Sequence, residues 1–168
     1  MSLTVPLLDD TTDLPVLNRR IMAIGPQVRD TEEIRFVSDL VKYPFVVLLG
    51  EPGSGKTSTL RAEARKEGAV VLTARELIYR NDARNTASKE SVETLYVDAI
   101  DEYRSEGDRS DKAWGLTAAM GAVNSRRWRV ACRSEDWRSE ADIKPFLRLT
   151  NNERPVVVQL HRFRVRKC

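Results

Sequence analysis

At 168 residues the chain is long enough for one well-buried domain and too short for two comfortable ones. Its 41% hydrophobic and 32% charged residues fit a globular domain, and a net charge of only +3 gives no reason to expect a nucleic-acid partner. No apolar run approaches the roughly 20 residues that cross a bilayer, and Met1 to Leu8 lacks the basic-then-apolar pattern of a secretory signal, so a cytoplasmic protein with no membrane partner is expected.

Residues 1–29 hold Pro6, Pro15 and Pro26 around the polar cluster Asp9-Asp10-Thr11-Thr12-Asp13, which predicts an irregular approach segment. Residues 30–160 form the expected folded domain, and residues 161–168 a basic tail in which Arg162, Arg164, Arg166 and Lys167 are read as a solvated run. Asp30 or Thr31 can cap a helix reaching Val41, with Ile34, Val37, Leu40 and Val41 at helical spacing. A buried strand over residues 44–49 follows. It runs into Gly50-Glu51-Pro52-Gly53-Ser54-Gly55-Lys56-Thr57, which satisfies G-x-x-x-x-G-K-[ST] at every fixed position, and residues 57–66 continue as a helix.

The chemistry of that stretch is specific. Its glycines let the backbone wrap around phosphate oxygens with the N–H groups turned inward, and the helix behind adds its N-terminal N–H groups and dipole. Lys56 supplies a point charge for the β- and γ-phosphates of a nucleoside triphosphate, and the Thr57 hydroxyl is suited to Mg²⁺. With Ser58, the next residue of the helix, residues 50–58 make up the expected ATP/ADP-binding set.

Gly68 ends the helix, residues 69–72 suit a second strand, residues 75–80 a short helix, and residues 81–88 an exposed loop. The run 94–98 is an apolar strand ending in Asp98, which would stand at the carboxyl edge of the sheet beside the loop and bind Mg²⁺. Asp101 and Glu102 follow, placed to orient or deprotonate an attacking water. Residues 111–124 predict a helix with Ala113, Leu116, Thr117, Met120 and Val123 on its packed face. A strand over residues 127–132 delivers Arg133 to the same edge, where its fork either reads the γ-phosphate or forms a salt bridge with Asp98, Asp101 or Glu102. Residues 135–148 predict an irregular or short helical connection in which Pro145 limits any long helix, and residues 155–160 form a last β-branched strand that can continue by alternation through Phe163 and Val165. Cys132 and Cys168 lack disulfide or metal-ligand spacing and read as reduced bystanders. The fold expected is a three-layer α/β domain with a mainly parallel five-stranded sheet, helices on both faces and the nucleotide at the strands' carboxyl edge.

The succession GEPGSGKT, LYVDAIDE, VACRSEDW and VVVQL resembles the NACHT branch of the STAND nucleotide-binding ATPases over most of residues 30–160. That family has a small residue after the magnesium aspartate and then an acidic pair, as Ala99, Ile100, Asp101 and Glu102 provide. Related AAA-type ATPases place glutamate where this chain has Ala99. The resemblance implies strand order 5-1-4-3-2, adenine as the base, Arg133 as a sensor arginine, and a signalling switch that rests with ADP and signals with ATP, as in bacterial antiphage defence. Family members continue into helical, winged-helix and sensor domains, and often carry an effector in front, so the chain is expected to be a fragment or a stand-alone core. Without a covering lid, water stays in the site and slow ATP hydrolysis at most is expected. The alternatives are a non-hydrolysing nucleotide-binding module acting through self-association or docking, and, further off, a nucleic-acid-dependent ATPase.

Overall fold

The computed structural model describes residues 18–25, 34–69, 71–79, 92–100, 103 and 109–162. Among the described residues six strands form one sheet: β1 (Ile21–Ile24), β2 (Phe45–Gly50), β3 (Val71–Thr73), β4 (Val92–Asp98), β5 (Ser125–Arg133) and β6 (Val156–Leu160). The described helices that pack on it are α1 (Lys56–Lys66), α2 (Ala74–Tyr79), α3 (Arg109–Gly121) and α4 (Ser139–Leu147). The middles of β2, β4, β5 and β6 are nearly continuous apolar runs, as strands covered on both faces must be. Alternate residues then serve different layers. Val47, Leu49, Val97, Val130 and Cys132 join the core that includes Leu77 of α2, Leu116 of α3 and Phe146 of α4. Val46, Leu48, Tyr96, Ala131 and Val158 join the other core, with Leu60 and Ala64 of α1 and with Val37 and Leu40.

The sheet order is β1-β6-β2-β5-β4-β3, with β1 antiparallel to β6 and the other pairings parallel. The segment read as irregular contributes an edge strand, which corrects the five-stranded sheet expected from sequence to six and extends its order by β1, while the other five strands follow 5-1-4-3-2 among themselves. Register sets Gly50 opposite Arg133 and Thr73 opposite Asp98, so the loop after β2 and the ends of β4 and β5 share the carboxyl edge. Since β1 runs the other way, it is its start that lies at that edge: Ile21 pairs with Leu160, and the His161 N–H donates to the Arg20 carbonyl at 3.1 Å.

One other local expectation changes. Within the predicted helix ending at Val41, the described part is a 3-10 turn, Val37–Lys42. Asp39 caps it by accepting from the N–H groups of Arg35 and Phe36, which also hold its carboxyl below the usual range. Carbonyls at and just beyond its end accept from β5: Arg129 donates to Leu40 O at 3.0 Å and to Pro44 O at 2.8 Å, and Arg127 donates to Val41 O. Of the two readings of residues 135–148, the short helical one is found: residues 139–147 are helical, with Pro145 inside them. The proline forfeits one bond near the end of a short helix, while Ile143 and Phe146 bury themselves against the core. The predicted packed face of α3 is buried at Ala113, Leu116, Thr117, Met120 and Val123. The loop at 81–88, the continuation through Phe163 and Val165, and Cys168 lie outside the described residues.

Candidate functional site: the loop between β2 and α1

β2 ends at Gly50, the chain turns through residues 51–55, and α1 starts at Lys56 with Gly55 as N-cap. Two glycines are demanded by the geometry. A Cβ on Gly50 would lie 2.4 Å from Ser54 Oγ and 3.0 Å from Lys56 Cγ, closer than side chains approach. Gly55 has φ +87°, a left-handed conformation that L side chains rarely adopt. The first bond of the helix is Thr59 N–H to Gly55 O at 2.9 Å, so the N–H groups before it have no partner within α1. No acidic residue lies in the first turn, and the N-cap Gly55 provides no side-chain cap. The α1 terminus is thereby left cationic in character, which suits an anionic ligand.

The side chains of the loop add to this. Lys56 Nζ donates to Gly50 O at 2.8 Å and to Glu51 O at 3.1 Å, which folds its ammonium back over the loop. Ser54 is 4% exposed, and its Oγ has no hydrogen-bond partner among the described residues. A buried hydroxyl without a partner costs about 1–3 kcal/mol, and a ligand oxygen would offset that cost. Glu51 forms an ion pair with Arg162 just beyond β6.

Thr57 and Asp98 meet although 41 residues separate them: the Thr57 hydroxyl donates to Asp98 Oδ2 at 2.6 Å. The other carboxylate oxygen, Oδ1, accepts from Ala99 N–H at 2.8 Å. Ala99 holds φ +55°, a strained setting for a residue with a Cβ, so the chain turns sharply after β4 to orient the carboxylate. Asp98 is 7% exposed. A hydroxyl and a carboxylate oriented together are hard-oxygen donors of the kind Mg²⁺ takes alongside phosphate oxygens and water. No cluster of three or more His, Cys, Asp or Glu is present among the described residues, so a cation here would draw its remaining ligands from elsewhere.

Of the residues expected to serve the site, the loop 50–58 and Asp98 are therefore gathered at one place, and Arg133 stands at the end of β5 in register with Gly50. Asp101 and Glu102 lie outside the described residues. Ser134, one residue on, donates to Gln159 Oε1 at 2.8 Å and ties the ends of β5 and β6 together.

Sequence reasoning missed Arg19. It precedes β1, is 7% exposed, and donates through Nη2 to His161 O at 2.5 Å. Its Nη1 lies 2.8 Å from where a Cβ on Gly55 would be. The available signal was the apolar run Ile21-Met22-Ala23-Ile24 before Gly25-Pro26, a strand-and-turn pattern that sets Arg19 at a strand's start.

No protein-family model matches the sequence, and no curated protein matches it. Among solved structures the chain is similar to AMPPCP-bound DnaA from Aquifex aeolicus, at 17% identity and a TM-score of 0.47, over 82% of this chain and 47% of that one. The chain thus spans about half the length of that protein, and the reading of the site rests on its own residues.

Proposed function

We propose that the chain binds ATP and ADP through residues 50–58, with Mg²⁺ held by Thr57 and Asp98. The observation that carries the reading is the Thr57–Asp98 hydrogen bond, because it joins two sequence motifs across the sheet at the N-terminus of the helix following the phosphate loop. The buried, unpartnered Ser54 hydroxyl and the Lys56 ammonium over the loop support an anionic ligand at the same place. Mg²⁺, when bound, neutralises charge on the β- and γ-phosphates. Asp101 or Glu102 positions the attacking water, and Arg133 reads the γ-phosphate.

The finer reading is a cytoplasmic switch of the NACHT/STAND kind, hydrolysing ATP slowly, serving antiphage defence, and working with effector or sensor domains or by self-association. Its support is the order Asp98-Ala99-Ile100-Asp101-Glu102 followed by Arg133. The test is calorimetric titration with ATP, ADP and GTP, with and without Mg²⁺, beside Lys56→Ala. Adenine-nucleotide binding that is strengthened by Mg²⁺ and lost in the variant is expected. A folded protein that binds none of the three sinks the proposal. Turnover lost in Asp101→Ala or Glu102→Ala with binding retained makes the chain an ATPase. Binding without turnover above the Lys56→Ala control makes it a regulatory binding module instead.

A further inference from the structure

We infer that Arg19 is a nucleotide-contacting residue of this site, donating from its guanidinium to the phosphate nearest the sugar, at the end of the loop that Lys56 does not reach. The inference rests on the proposed nucleotide site. Four observations lead to it.

The first is topology. A strand antiparallel to β6 necessarily begins at the edge where β6 ends, so β1 brings the residue before it to the phosphate loop. The second is fixation. Arg19 O accepts from Val37 N–H at 2.9 Å, Ile21 N–H donates to Arg35 O at 2.9 Å, and His161 N–H donates to Arg20 O. The backbone that carries the side chain is thus pinned from both sides, and Nη2 is aimed by its bond to His161 O. A donor held this way loses little further freedom when it meets a ligand.

The third observation is position. Nη1 comes against Gly55, the N-cap of α1, whose own N–H and those of Lys56, Thr57 and Ser58 have no partner within the helix. Lys56 Nζ is drawn to the opposite end of the loop by the Gly50 and Glu51 carbonyls. Two cations therefore bracket one short anion-binding surface, the lysine at the end of β2 and the arginine at the start of α1. A polyphosphate lying along the loop places its terminal phosphates by the lysine and its sugar-linked phosphate by the arginine. The guanidinium fork suits that task, since it can keep its bond to the His161 carbonyl while other N–H groups reach phosphate oxygens. The fourth is burial. Desolvation lowers the Arg19 pKa, so this cation is held where water solvates it poorly and where an anionic oxygen would be most effective.

The test compares ADP and ATP affinity, with Mg²⁺, in the wild-type chain, Arg19→Gln, Arg19→Lys and Lys56→Ala, together with each protein's ligand-free thermal midpoint. A charge-assisted hydrogen bond lost from the sugar-linked phosphate weakens ADP and ATP alike, on the order of 10- to 100-fold. Arg19→Lys is expected to recover part of that loss, and Lys56→Ala to lose binding of both nucleotides. Affinities in Arg19→Gln within twofold of wild type, with only the thermal midpoint lowered, would make Arg19 a structural clamp and overturn the inference. A loss confined to ATP would overturn it too, by putting the guanidinium at the γ-phosphate. If the wild-type chain binds neither nucleotide, the underlying site reading fails. If it binds both and Arg19→Gln matches it, only this inference fails.

Discussion

The sharpest test of the loop's packing is Gly50→Ala. The new Cβ would lie 2.4 Å from Ser54 Oγ and 3.0 Å from Lys56 Cγ, where ordinary contacts start near 3.4 Å. About 1 Å must open, and Ser54 cannot swing away freely, being buried with its N–H bonded to Glu51 O at 3.0 Å. Overpacking of this kind costs about 1–3 kcal/mol. Ser54→Ala removes the clashing oxygen and, because that buried oxygen has no hydrogen-bond partner among the described residues, breaks no bond, so the single change should be neutral or stabilising. The double variant Gly50→Ala/Ser54→Ala then recovers about 1 kcal/mol or more relative to the sum of the singles. Urea unfolding followed by circular dichroism reads all four proteins, with equal m-values required for the comparison. Additivity within about 0.5 kcal/mol would refute the reasoning, since neighbours that do not couple are not in collision.

Three more expectations follow from individual contacts. Ala99 sits at φ +55°, so Ala99→Val should destabilise by about 1–2 kcal/mol while Ala99→Gly is neutral or better, as urea midpoints would show. Thr57→Val removes the donor to Asp98 Oδ2 and leaves a nearly buried carboxylate short of a partner, at a cost of about 1–3 kcal/mol. The same variant should lose the gain in ATP affinity that Mg²⁺ brings, measured by titration with and without the ion. Burial raises the Tyr96 pKa well above its ordinary value of 10, with Glu67 beside it acting in the same direction and Arg129 against it. The unfolded chain releases that phenolic proton near pH 10 while the folded chain keeps it, so stability is present below pH 10 and falls as pH rises beyond it. Unfolding midpoints between pH 8 and 11 should fall more steeply in the wild type than in Tyr96→Phe, and parallel curves would contradict this.

The loop, β2, α1 and the end of β4 were legible because their signals are local. The glycines, Lys56 and Thr57 occupy eight consecutive positions, and Asp98 closes an apolar run. The missed features depend on distant partners. β1 is four residues between prolines, and what makes it a strand is its antiparallel pairing with Val157 to Leu160. The spacing of Ile34, Val37, Leu40 and Val41 reads as a helix. Yet Asp39 caps the segment from within, and Arg127 and Arg129 occupy the carbonyls of Val41 and Leu40. Competition of that kind leaves one 3-10 turn before Tyr43 and Pro44. The helix over residues 139–147 is short, as Pro145 requires, and a proline near the end of a nine-residue helix forfeits little when Phe146 behind it is buried.

Two arginines connect the end of β6 with the phosphate loop, and their settings decide which connection matters. The Arg162–Glu51 pair is exposed, with 72% and 47% of the side chains accessible, and such pairs contribute about 0–1 kcal/mol and weaken with salt. Arg19 is 7% exposed, joins the His161 carbonyl, and reaches the N-cap of α1. Breaking a buried charged hydrogen bond costs more and is little screened. A displacement of the chain just beyond β6 would therefore be felt at the phosphate loop through His161 and Arg19, while the Arg162 pair could open with small effect. Arg162→Ala should accordingly leave ADP affinity within about twofold at moderate salt. A loss as large as that of Arg19→Gln would mean that the exposed pair holds the loop as firmly as the buried guanidinium, against this argument.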